Sequence, residues 1–202
     1  MQDLEIIKSY YEPKLKEFKE DYKVLGWETK EAQMKRFEIL KDNVDLNGKK
    51  VLDVGCGLGN LFEFLEANDI SVDYTGVDIL EQMIIKAEQK NTGGNFLCID
   101  IFKEKVFPDG FFDVIYASGI FNLKMSDNMA FLKKALTVFL TLSNDMVVFN
   151  LLNEKSDDKE DKYFYYNQDH IKKALQDLSV LLEKICFVEN YLLNDFTVII
   201  KK

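Results

Sequence analysis

The stretch Val51-Leu52-Asp53-Val54-Gly55-Cys56-Gly57-Leu58-Gly59-Asn60 carries the most structural information in this chain. A short apolar run closes on three glycines at alternate positions, and a second apolar segment with helical spacing follows directly. The order is strand, glycine turn, helix. It sets backbone N–H groups and the positive end of a helix beside the crevice at the carboxyl ends of an open α/β sheet. Glycine suits such a turn because a Cβ would stand between the backbone and a ligand lying against it. The spacing excludes two common versions of the motif. A dinucleotide turn, G-x-G-x-x-G, needs glycine at position 60, where Asn60 stands, and the glycine-to-lysine pattern of a P-loop is missing.

Outward from this turn the chain alternates. After the strand Lys50–Val54 the pattern predicts a helix over Asn60–Asn68, a strand over Ser71–Val77, a helix over Leu80–Lys90 and a strand over Asn95–Ile99. A loop through Pro108-Asp109-Gly110 leads to a strand over Phe111–Ala117, a helix over Asp127–Leu142 and a strand over Met146–Leu151, with Ser143-Asn144-Asp145 read as a turn. Strands alternating with helices of about ten residues call for a parallel sheet with helices on both faces and right-handed crossovers. Residues 1–46 read as a helical cap on an α/β core spanning 47–202. Leu4, Ile7, Tyr11, Leu15 and Phe18 form one stripe disturbed by Pro13, and a second helix capped by Thr29 runs to about Asp42. Asn153–Lys162 is a charged run, read as a solvated loop, and Asn167 caps a helix to about Leu178. The last two β-rich stretches, Val180–Phe187 and Phe196–Lys202, lie too close together for a helical crossover and should pair antiparallel. No linker or repeat divides the chain, so residues 1–202 read as one domain.

Composition narrows the partners. The 202 residues hold 26 Lys plus Arg against 35 Asp plus Glu, a net charge of −9, which argues against a surface built for phosphate backbones. Residues 51–100 alone hold 2 basic and 9 acidic residues, whereas residues 1–50 balance. Cys56, Cys98 and Cys186 are odd in number and far apart, so neither a disulfide framework nor a zinc site is expected. A reducing, cytoplasmic location follows, and the charged first 25 residues do not read as a signal peptide. Ala135–Asn153 is the stretch nearest to a membrane span, and the turn signal at its centre argues against one.

Two further acids complete the pattern. Gly76-Val77-Asp78-Ile79 ends the second strand with a carboxylate 23 residues beyond Gly55, placed to accept from vicinal ribose hydroxyls. Asp100, followed by Ile101 and Phe102, ends the third strand, and Ser118-Gly119 ends the fourth. With Asp53 and the three glycines, these residues make the segment from Lys49 to Leu151 resemble a class I S-adenosylmethionine-dependent methyltransferase. The resemblance implies a Rossmann-like, seven-stranded, mostly parallel sheet with an antiparallel last strand. It implies S-adenosyl-L-methionine as cofactor: methionine on Asp53, Gly55, Gly57 and Gly59, ribose on Asp78 with Ile79 beside it, adenine near Asp100 and Ile101, and the methionine amino group at Ser118. Trp27, Gln33-x-x-Arg36-Phe37, Ser118-Gly119-Ile120-Phe121-Asn122 and Asn194-Asp195-Phe196-Thr197 are similar to a bacterial group of these enzymes without an assigned substrate.

Motifs of other subgroups are missing. No Asn/Asp-Pro-Pro-aromatic motif stands at Ser118–Phe121, neither proline has a cysteine beside it, and no acid cluster follows the fourth strand, so no metal is expected. The leading expectation is methyl transfer to a small-molecule acceptor. Transfer to tRNA or protein, or a non-catalytic S-adenosylmethionine-binding module, are the alternatives, and a monomer or homodimer is expected. Methyl transfer needs alignment more than acid–base chemistry. No catalytic residue is therefore assigned, and Asn122, Asn150 and Tyr165 are only pocket-lining candidates. His170 reads as part of a helix first turn and Cys56 as a filler. Arg36 is the only arginine, and its planar fork suits a carboxylate, so it is divided between a clamp on the cofactor and an ordinary surface charge.

Overall fold

The computed structural model describes residues 2–178 and 182–202. Seven strands form a single sheet: β1 (Lys50–Val54), β2 (Asp73–Asp78), β3 (Asn95–Cys98), β4 (Phe112–Ala117), β5 (Ser143–Leu152), β6 (Lys184–Val188) and β7 (Asp195–Lys201), in the order β3-β2-β1-β4-β5-β7-β6. Strands β1 to β5 pair in parallel, and β7 lies antiparallel to both neighbours. The helices are α1 (Gln2–Glu17), α2 (Asp21–Val24), α3 (Lys30–Asn43), α4 (Asn60–Ala67), α5 (Glu81–Lys90), α6 (Asn128–Leu142) and α7 (Gln168–Gln176). The Rossmann-like expectation holds, including the antiparallel end of the sheet.

Strand alternation builds two cores, because successive side chains leave opposite faces of the sheet. Leu52, Ile115 and Ala117 face α6 and α7, where Leu136, Phe139 and Ile171 meet them. Val51, Val114 and Tyr116 face the other way and pack with Phe37 and Leu40 of α3, Leu65 of α4 and Ile84 of α5. The cap attaches to the glycine turn through a third cluster, in which Leu15 and Val24 meet Leu58, Leu80 and Met83.

Three local expectations are corrected. Ser143-Asn144-Asp145 is not a turn. Its backbone passes straight from α6 into β5, because Ser143 pairs with Phe112 across a bulge in β4. The cap holds three helices, since Asp21–Val24 forms an extra turn between the two expected ones. The strand expected from Val180 is observed from Lys184, and residues 179–181 lie outside the described residues. Each edge strand carries a cysteine, exposed Cys98 on β3 and half-buried Cys186 on β6, whereas Cys56 is buried beside the glycine turn. No described helix is long and apolar enough to cross a membrane.

Candidate cofactor and acceptor site

The carboxyl ends of β1 to β4 open onto one cavity of about 290 Å³. It is lined by Asp53, Gly55, Cys56 and Gly57 from the first turn, Asp78 and Ile79 from the second, Asp100 and Ile101 from the third, and Ser118 and Gly119 from the fourth. Eight of the ten expected cofactor residues therefore share one space.

The glycine turn is left-handed at each step, with φ of +73° at Gly55, +55° at Gly57 and +77° at Gly59. Their bareness is used by the protein itself. A Cβ on Gly57 would lie 2.6 Å from Leu25 Cδ2, and one on Gly55 would run into the Ile120 side chain. A Cβ on Gly59 would meet Asn91 Nδ2 at 2.5 Å and the Phe96 ring at 3.0 Å, so Gly59 is a packing and helix-capping residue behind the cavity lining.

The acids are held by the backbone. Asp78 accepts from Gly57 N–H through Oδ2 (3.0 Å) and from Leu80 N–H through Oδ1 (2.9 Å). That orients both oxygens and leaves lone pairs to spare. Burial raises its pKa above the usual carboxylate value. Asp53 is 4% exposed and accepts from the Tyr74 hydroxyl at 2.7 Å. Burial outweighs that bond and pushes its pKa up to about 7. Asp100 accepts from Phe102 N–H (3.1 Å) and pairs with Lys103 (2.6 Å). Ser118 Oγ and Asn122 Oδ1 are buried without a hydrogen-bond partner although their residues line the cavity. Two such atoms beside oriented carboxylates and a bare turn fit a ligand with hydroxyl and amino donors.

Arg36 stands behind this lining, and the structure gives it a role neither expectation anticipated. It is 4% exposed, so it is no surface charge, and its fork is engaged within the protein. Nε donates to Asp195 Oδ2 (2.5 Å), Nη1 donates to the Ala32 carbonyl (2.6 Å), and the guanidinium lies 4.2 Å over the Trp27 ring. Of the pocket candidates, Asn122 lines the cavity; Asn150 and Tyr165 do not. Asn150 instead accepts from Gly119 N–H, and the Tyr165 hydroxyl accepts from Glu160 N–H. His170 completes a capping box with Asn167, as its helix-start setting implied.

The far wall was legible only at Tyr11 and Trp27, whose aromatic side chains read equally as core or as pocket rim. Asp3, Leu4, Ile7 and Tyr11 of α1 border the cavity, together with Leu25, Trp27 and Gln33. The α1 stripe is visible in the sequence, but its spacing is equally that of a core helix. Among the described residues, no group of three or more His, Cys, Asp or Glu is arranged to hold a metal.

Residues 51–140 match the family model for a methyltransferase domain. The chain carries a methyltransferase domain, and its fold is that of S-adenosylmethionine-dependent methyltransferases. Over 159 residues the chain is 28% identical to a Mycobacterium tuberculosis protein provisionally named as a methyltransferase, covering 74% of this chain and 91% of that one. Over 81 residues it is 42% identical to phosphoethanolamine N-methyltransferase 3 of Arabidopsis thaliana, 38% of this chain but only 16% of that enzyme. In fold it matches magnesium protoporphyrin IX methyltransferase from Synechocystis with bound S-adenosylmethionine, with a TM-score of 0.64 at 15% identity, covering 100% of this chain and 98% of that one.

Proposed function

We propose that this cavity holds S-adenosylmethionine and that the enzyme methylates a small-molecule acceptor. Asp78, with both oxygens fixed by Gly57 and Leu80, accepts the ribose hydroxyls, and Ile79 lies alongside. Asp100 and Ile101 border the adenine. Asp53, the glycine turn and Ser118 surround the methionine, with Ser118 Oγ and Asn122 Oδ1 accepting from its ammonium. Bound there, the cofactor supplies a sulfonium methyl that an acceptor nucleophile displaces in line. The protein contributes alignment and exclusion of water, which α1 serves by walling the cavity.

The observation that carries this reading is the convergence of three strand-end acids, Asp53, Asp78 and Asp100, on one cavity bounded by the cap. With α1 along its rim, that space suits a molecule that enters whole better than a residue or base presented by a larger partner. The acidic surface argues in the same direction. Relatives named for phosphoethanolamine and ubiquinone biosynthesis support a small acceptor. Three unpaired cysteines support a reducing, cytoplasmic setting.

The test is a screen for S-adenosylhomocysteine release from S-adenosylmethionine over pooled metabolites and, separately, pooled tRNA, with Asp78→Ala as the control. Turnover with metabolites that vanishes in Asp78→Ala is expected. Turnover confined to the tRNA pool overturns the small-molecule reading.

A further inference from the structure

Five segments, around Trp27, Arg36, Ser118-Gly119, Asn150 and Asp195, meet in a cluster that runs from the cavity wall, lined by Trp27, Ser118 and Gly119, to the buried Arg36, Asn150 and Asp195 behind it. Asp195, at the start of β7, has a fully buried side chain. Its Oδ2 accepts from Arg36 Nε and, at 2.9 Å, from Asn150 Nδ2. Asn150 Oδ1 in turn accepts from Gly119 N–H at 3.1 Å. Trp27 stacks on Arg36 and covers Gly119, whose φ is +85° and whose missing Cβ would lie 2.9 Å from the indole.

We propose that Arg36, Asp195 and Asn150 form a positioning relay that sets the Ser118-Gly119 backbone for cofactor binding. The inference rests on reading the cavity as the S-adenosylmethionine site. A buried ion pair is a weak source of stability, because desolvation of both charges cancels most of their attraction. What this pair provides is direction. A carboxylate can only accept, so it compels Asn150 to turn its amide nitrogen toward Asp195 and its carbonyl oxygen toward Gly119. An aspartate without Arg36 would be an unpaired buried charge. A lysine would keep the charge but lose both the second prong to Ala32 and the flat stack on Trp27. The chain's only arginine therefore acts through two other side chains on a turn it does not touch. The relay also ties the cap, through α3, to β5 and β7.

The experiment is calorimetric titration of S-adenosylhomocysteine into the full chain and into Asp195→Asn, Asn150→Leu and Tyr191→Phe, with melting temperatures measured in parallel. Tyr191→Phe is the structural control. It removes the 2.8 Å bond to Thr197 next to the cluster without touching the relay. Asp195→Asn and Asn150→Leu are each expected to weaken binding about tenfold, while Tyr191→Phe binds as the parent does whatever stability it loses. Trp27, as the only tryptophan, gives a second readout that needs no ligand: Asp195→Asn should shift its emission. Unchanged affinity in folded Asp195→Asn and Asn150→Leu, or an equal loss in Tyr191→Phe, overturns the relay. Failure of the parent chain to bind S-adenosylhomocysteine overturns the site reading itself. If Asp195→Asn does not fold, Asn150→Leu decides, since it leaves the ion pair intact.

Discussion

Asp53 is ionised at a cost. Its carboxyl is buried with one hydroxyl partner, and its pKa is pushed up to about 7 against an ordinary value near 4. A carboxyl whose folded pKa is raised binds protons more tightly in the native state, so its contribution is most favourable at low pH and is lost as pH rises toward 7. Asp53→Asn keeps an acceptor for Tyr74 and removes the titration. Urea melts from pH 4 to pH 8 should show the variant gaining on the parent as pH rises, by at most about 4 kcal/mol; a constant gap would refute the assignment to Asp53. Gly119 offers a cleaner steric test. Gly119→Ala meets both a positive φ and the Trp27 indole, whereas Gly110→Ala meets a φ of +63° with nothing within 4 Å. Denaturant midpoints should show Gly119→Ala losing about 2 kcal/mol more than Gly110→Ala, because only the former adds a clash to the strained backbone.

At the scale of elements, α1 is pinned at both ends and in the middle. Asp3 accepts from Ser126 N–H and Oγ (both 3.0 Å), the Tyr10 and Tyr163 hydroxyls share a 2.7 Å bond, and Lys86 donates to the Leu15 carbonyl (3.1 Å). Tyr10→Phe should leave the sheet untouched and speed amide exchange in α1 relative to β4, consistent with loss of about 1 kcal/mol from one bond. Equal acceleration in β4 would mean that the bond supports the whole fold. The core elements were legible because each repeats its apolar pattern over a full strand or several helical turns: β1 by its run into glycine, α3 by Thr29, whose hydroxyl accepts from Ala32 N–H as a cap should. The α6–β5 junction was not. Ser143-Asn144-Asp145 has turn chemistry, but pairing with β4 recruits it into the sheet. The site was legible where residues follow strand ends, as at Asp78 and Ser118. It was illegible where contacts cross the chain, as in the partnership of Arg36 with Asp195, 159 positions away. No local spacing encodes such a pair. For the same reason Asn150 could be singled out but not placed.

The whole molecule should report its ligand as a stability change. A ligand at 100 times its dissociation constant adds about 2.7 kcal/mol. For a chain of 202 residues that raises the melting temperature by roughly 5–10 °C. S-adenosylhomocysteine should produce this rise and NAD should not, as scanning fluorimetry with both would show; the opposite pattern would return the glycine turn to the dinucleotide binders. Another consequence follows from the strand order. Cys98 and Cys186 lie on opposite edges of the seven-stranded sheet, about 29 Å apart at ordinary strand spacing. A disulfide needs its two Cα atoms within about 7 Å. These two thiols therefore cannot join within one folded molecule, and oxidation can link them only by setting the sheet edge of one copy against the edge of another.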